Sequence, residues 1–181
     1  MSATHNGTSL QMDEAIPLLQ ATPATLRSLL APLPVPWLDF REDPEAWSPR
    51  MVLVHFIHNE RTNWIPRARV VLSSDDDRRF APFQQMPGPG EVPDQDIAAM
   101  LELFTSLRGD SIATLRAFNL SPEDYLRTGE HPSLGRVTLA QLLATWVVHD
   151  LNHMHQILKT LAKQQTGAVG PWRKNLAILD L

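Results

Sequence analysis

Trp146-Val147-Val148-His149-Asp150-Leu151-Asn152-His153-Met154-His155-Gln156-Ile157 is the stretch on which the reading of this chain turns. His149 and His153 stand four residues apart. On a helix, positions i and i+4 lie one above the other, so two imidazoles at this spacing can converge on one divalent ion. Thr145, His149, Asn152, His153, Gln156 and Thr160 recur at steps of three and four as a polar stripe, while Leu139, Leu143, Val147, Met154, Leu158 and Leu161 form an apolar one. The apolar side suits a core. The polar side either lines a cavity or is solvated with two incidental histidines on it, and periodicity alone leaves both open. The helix has a marked start, because Thr138 is followed three residues on by Gln141 in a capping-box arrangement, and it is expected to run to about Gln165.

Outward from this helix, proline punctuates a chain that otherwise reads as helical. Asp13 to Ala21 and Thr22 to Leu33 read as a broken first helix, with Thr22 as N-cap and Pro23 at the first helical position. Ser48-Pro49 opens a second helix in the same way; it runs to about Ser73 and should kink at Pro66. From Ser74 to Pro93 the chain is rich in Asp, Pro and Gly, which predicts a long crossover loop of the kind that is uncommon unless functional or flexible. A third helix is expected over roughly Asp94 to Phe118, and Ser121-Pro122-Glu123 opens a short helical turn. No β-alternating run or internal repeat stands out. The chain is therefore expected to be all-α, with four main helices in an antiparallel bundle over residues 13–181 and a flexible N-terminus over residues 1–12.

Composition narrows the chemistry. A hydrophobic share of 43% with 20% charged residues is that of a globular protein, and 181 residues suit one domain with a sizeable core. A net charge of −4 without a basic cluster argues against a nucleic-acid partner. The absence of cysteine excludes disulfides, thiolate ligands and a cysteine nucleophile, leaving histidine and carboxylate as metal ligands. No window approaches about 18 uninterrupted apolar residues and no signal segment stands at the start, so a cytoplasmic protein without a membrane partner is expected.

In a bundle, facing helices project side chains into a shared interior, so a third ligand can come from another helix. The candidates are His55 and His58 in the second helix, three apart on nearly the same face, and His131 before the fourth; His5 falls in the flexible end.

The segments Trp47-Ser48-Pro49-Arg50-Met51-Val52-Leu53-Val54-His55 with Asn59-Glu60-Arg61, then His131-Pro132-Ser133-Leu134-Gly135-Arg136-Val137-Thr138, then His149 to Ile157, resemble in their order the DinB superfamily, over about Asp13 to Leu179. The resemblance implies a four-helix bundle of DinB-like type, commonly a homodimer, with a divalent metal ion held by three histidines, here His55, His149 and His153. The metal is left open among Zn, Ni and Fe, since imidazole suits all of them. Where relatives often carry an arginine next to the glutamine, this chain has His155 before Gln156, and that histidine either borders the site or faces solvent. Asp150 is either an acceptor that orients a ligand imidazole or a solvated carboxylate, and Glu60 either faces the pocket or pairs with Arg61 and Arg67 on the surface.

Three neutral imidazoles leave coordination positions open, as catalytic sites do. The activities implied by the resemblance are transfer of a low-molecular-weight thiol such as bacillithiol or mycothiol to a small electrophile, and metal-dependent hydrolysis; the alternative is a non-catalytic metal-binding stress-response protein. A zinc peptidase is disfavoured, because that motif needs Glu where Asp150 stands.

Overall fold

The computed structural model describes residues 12–88 and 96–180. Helix α1 spans Met12–Leu30, a short α2 Val35–Leu38, α3 Pro49–Thr62, α4 Trp64–Leu72, α5 Ile97–Ala117 and α6 Leu139–Lys163; a two-stranded hairpin, β1 Thr128–His131 and β2 Gly135–Thr138, precedes α6. With α3 and α4 counted as one broken rod, α1, α3/α4, α5 and α6 form the four-helix bundle expected from the sequence. α5 packs on α1 and α3, and α6 closes the bundle against α1, α3 and α4.

Three local expectations are corrected. The first helix is continuous through Pro17 and Pro23 instead of breaking at Thr22. A proline inside a helix cannot donate to the carbonyl four residues back. Pro23 thus frees the Leu19 carbonyl, and Arg108 Nη1 on α5 donates to it at 2.9 Å. A tertiary bond replaces the lost helical one. The second helix does not kink at Pro66 but breaks at Asn63, whose φ of −111° and ψ of −74° turn the chain. This puts Pro66 in the first turn of α4, where its missing N–H has no helical partner to lose. The third correction is the hairpin. Thr128-Gly-Glu-His131 and Gly135-Arg-Val-Thr138 are too short and too polar to show alternation, yet they pair antiparallel, Thr128 opposite Thr138 and His131 opposite Gly135. Gly135, at φ 70°, closes the turn in a conformation that glycine adopts without strain.

The hairpin fixes the crossover segment. Phe80 N donates to Glu130 O and Glu130 N to Arg78 O, each at 2.9 Å. Phe80 then lies on Gly129, where any Cβ would sit 2.5 Å from the ring. Residues 89–93 of the expected loop, the start of the third helix at Asp94 and the expected flexible residues 1–11 lie outside the described residues. The described helix α5 is capped by Asp96, whose side chain accepts from Ala99 N. Ser48 caps α3, and the capping box at Thr138 and Gln141 is present in both directions.

Two apolar clusters fill the bundle. One, at the hairpin end, includes Leu19, Trp64, Ile112, Leu143 and Trp146; the other includes Leu26, Leu53, Phe56, Phe104 and Ile157. Between them each rod contributes a buried polar residue: Thr22 from α1, Glu60 from α3, Arg108 from α5 and Asp150 from α6. The core is thus two oily compartments separated by an ionic layer.

Candidate metal centre

Arg108, 1% exposed, is the hub of that layer. Its Nε donates to Glu60 Oε1 at 2.9 Å, its Nη1 to Asp150 Oδ2 at 2.5 Å, and its Nη2 to Asp150 Oδ1 at 3.0 Å. The guanidinium also lies against the rings of Phe104 and Trp146. The Thr22 hydroxyl donates to Asp150 Oδ2 at 2.8 Å. Burial opposes the Asp150 charge, but the adjoining His149 ring, the Arg108 guanidinium and Thr22 outweigh it and hold this carboxyl below its usual range. Burial pushes Glu60 up despite Arg108. Glu60 therefore neither faces the pocket nor pairs with Arg61 and Arg67, and Asp150 is not solvated.

His149, on the turn of α6 that carries Asp150, rises from this layer toward His55 and His153. One nitrogen from each of the three rings lies within 4.8 Å of the other two. His55 Nε2 and His149 Nε2 are 3.0 Å apart. Metal–imidazole bonds of about 2.0–2.1 Å set the nitrogens of a tetrahedral site about 3.3 Å apart, so this spacing fits a shared ion closely.

The outer nitrogens fix the tautomers. His55 Nδ1 lies 2.5 Å from the Gln85 carbonyl and His153 Nδ1 2.7 Å from Gln156 Oε1. Both partners are acceptors, so each Nδ1 carries the hydrogen and each Nε2 presents a lone pair. His149 Nδ1 has no hydrogen-bond partner and lies 3.9 Å from Asp150 Oδ1. Asn59 Nδ2 donates to the His55 carbonyl at 2.8 Å and lies 3.0 Å from its Nε2. Burial, reinforced by the other histidines against the hydrogen bond to Gln85, lowers the His55 pKa to about 4. Burial and the charge of His149 likewise lower that of His153. Both rings are neutral at pH 7, the form that binds metal.

Aromatic rings enclose the cluster. Trp47 stacks on His153 with 6.0 Å between ring centroids, and the edges of Phe56 and Trp64 meet His149. The three histidines open onto a cavity of about 310 Å³ whose other walls include Asn63, Arg67, Phe80, Phe83, His131 and Thr145. None of its lining residues is a carboxylate.

The other histidines separate cleanly. His58 is buried with Nε2 3.1 Å from the Gln84 carbonyl and stands outside the cluster. His155 faces solvent, and His131 lines the cavity from β1 without joining the three rings. On α6 the polar stripe is divided: His149 and His153 line the cavity, whereas Asn152 is exposed. Leu158, expected in the core, is 45% exposed. Arg108 escaped the sequence reading. Its signal was a cation at the buried position of the series Leu101, Phe104, Arg108, Ile112, Leu115, where a charge needs buried partners.

A four-helix bundle that gathers three histidines from two rods at a cavity defines the class. The sequence profile of the DinB superfamily matches residues 18–157, and the chain belongs to that superfamily. Among solved structures it is similar to YfiT from Bacillus subtilis, with a TM-score of 0.71 and 22% identity over 92% of this chain and 94% of that one. YfiT is described as a probable metal-dependent hydrolase with an unusual four-helix bundle topology; at this identity the likeness establishes the fold. Comparison with curated proteins gives no match.

Proposed function

We propose that this chain is a divalent-metal-dependent enzyme whose ion is held by His55, His149 and His153, and that it acts by hydrolysis or by transfer of a low-molecular-weight thiol to a small electrophile. The observation that carries this reading is the pair of facing nitrogens, His55 Nε2 and His149 Nε2, 3.0 Å apart with the His55 lone pair turned inward. Nitrogens facing at this distance share either a hydrogen carried by one ring or a cation, and the convergence of the third ring on the same point favours the cation. A bound ion would supply a Lewis acid that lowers the pKa of water or of a thiol.

The chain's own residues set the conditions for that chemistry. Gln85 and Gln156 hold two ligand rings in the required tautomer. Asp150, kept ionised by Arg108, places a negative charge beside His149, favouring a cation at the cluster. Trp47, Trp64 and Phe83 limit water around the open side of the site. Among the described residues none of the cavity lining is a carboxylate that could serve as the general base of a peptidase. The description of YfiT as a probable metal-dependent hydrolase supports the hydrolytic branch. A cytoplasmic homodimer is part of the same proposal; Val148, Leu151 and Leu158 leave an apolar strip exposed on the outer side of α6 where a second copy would pack.

Metal analysis of protein purified without a histidine tag tests the site. His55→Ala, His149→Ala and His153→Ala should each abolish bound metal, while His58→Ala and His155→Ala should retain it. Equal loss from all five would refute the triad. A screen of ester and amide hydrolysis beside conjugation of bacillithiol-like and mycothiol-like thiols then separates the two reactions. Tight metal with no rate above background in either arm would leave the non-catalytic alternative.

A further inference from the structure

Arg67 is a buried cation without a counter-ion among the described residues. It projects from α4 into the same cavity as the three histidines, is 9% exposed, and its Nη2 makes no hydrogen bond. No carboxylate among the described residues pairs with it. It is held by two rings instead, Phe80 at 5.1 Å and Phe83 at 5.6 Å from the guanidinium carbon. Contrast Arg108, buried more deeply, which engages two carboxylates and a carbonyl. Burying a guanidinium unpaired is costly, and burial indeed lowers the Arg67 pKa with no compensating anion. Among the described residues nothing supplies the missing charge, and an anion bound in the cavity would.

Two further groups on the cavity wall lack a complement or point the same way. Asn63, one helical turn before Arg67, gives its Nδ2 to Asn59 and leaves a buried Oδ1 with no donor. His131 Nδ1 accepts from the backbone of Ser133 at 3.2 Å and of Leu134 at 3.3 Å, so its hydrogen sits on Nε2, a donor at the Arg67 end. Among the described residues Arg67 is the only lysine or arginine lining the cavity, which suits a monoanion better than a phosphate dianion. Aromatic and aliphatic walls, Phe83 and Leu142 among them, suit a flat apolar body. Phe83 stands between the two ends, its ring 6.3 Å from that of His55. One small molecule can therefore touch Arg67 and the histidines together.

We propose that the cavity binds a small organic monocarboxylate with a planar apolar body, its carboxylate on Arg67 and its other end turned to the three histidines. Binding of the carboxylate depends on Arg67 alone; only the ligand's orientation rests on the metal-centre reading above. A guanidinium takes a carboxylate through two parallel N–H bonds, and a neutral isostere forfeits the charge while keeping the shape.

Calorimetric titration of the full-length protein, as purified and again in excess chelator, with benzoate, phenylacetate and hydrocinnamate, each against its own primary amide, decides the matter. At least one acid should bind at least about tenfold tighter than its amide in both preparations, as expected for a buried charge-assisted pair. In Arg67→Met, which keeps the stacked aliphatic length, that advantage should vanish while metal content stays that of the wild type. Arg67→Lys should keep part of it. No preference for any acid in the wild type overturns the proposal, and that comparison needs no variant. An advantage that chelation removes and Arg67→Met preserves also overturns it, because the ion would then hold the carboxylate and only the metal reading would survive. An Arg67-dependent preference in protein that never binds metal would support this proposal and sink the other.

Discussion

Arg108 satisfies two carboxylates and the carbonyl that Pro23 leaves free, so its removal strands three buried groups at once. Breaking a buried ionic network costs about 3–5 kcal/mol when a charge is left unpaired. Arg108→Met should therefore lower the stability of the fold by that order in urea unfolding, a loss of a few tenths refuting its role as hub. Titration offers a second check at this scale. A His55 ring in the unfolded chain takes up a proton near pH 6.5, whereas the folded ring stays neutral down to about 4. Unfolding then binds a proton between these values, and the lowered His153 adds in the same direction. Stability of metal-free protein should accordingly fall as pH drops from 6.5 toward 4. Urea midpoints of chelated protein at pH 7.5, 6 and 5 measure the slope, and His55→Gln should flatten it.

At the scale of elements, what the sequence revealed and what it hid divide by the range of the interactions. The start of α6 was legible because a capping box is local: Thr138 and Gln141 satisfy each other within one turn. Helix α1 was misread because its continuity is not local. Pro23 read as a start signal, whereas the carbonyl it frees is taken up by the Arg108 guanidinium, from a helix far along the chain. The hairpin was missed for a related reason, since its four-residue strands carry no alternation and owe their place to Phe80 and the crossover segment. Gly129 is the contact that tests this. Gly129→Ala would bring a methyl to 2.5 Å from Phe80 Cε1 and 3.1 Å from Val71 Cγ2. Overpacking of this kind costs about 1–3 kcal/mol. Phe80 also stacks on Arg67, so the same substitution should disturb the cavity wall, seen as altered near-ultraviolet circular dichroism with metal content retained.

For the molecule as a whole, the class of fold followed from helical periods and proline placement, whereas the choice among His55, His58 and His131 did not. Spacing put His55 and His58 on nearly one face; the family resemblance selected His55, and the fold places its ring against His149 while His58 turns to Gln84. The layered core explains why the site sits where it does. Bundle interiors are ordinarily apolar, and this one is interrupted at the level where Thr22, Glu60, Arg108 and Asp150 meet, so that the histidines rest on fixed charge. Two rods meet at the cluster, α3 through His55 and α6 through His149 and His153, and an ion held by all three would tie them together in the folded state only. Ligands that bind the folded state stabilise it by about RT ln(1 + [L]/Kd), roughly 4 kcal/mol at a thousandfold excess over Kd. Chelation should therefore lower the melting temperature, and restoring a divalent ion should raise it again with a dependence on ion concentration. His153→Ala should remove that dependence while melting close to the chelated wild type. His155→Ala, exposed on the same helix, should keep it; if the two variants behave alike, the stabilising ion binds elsewhere.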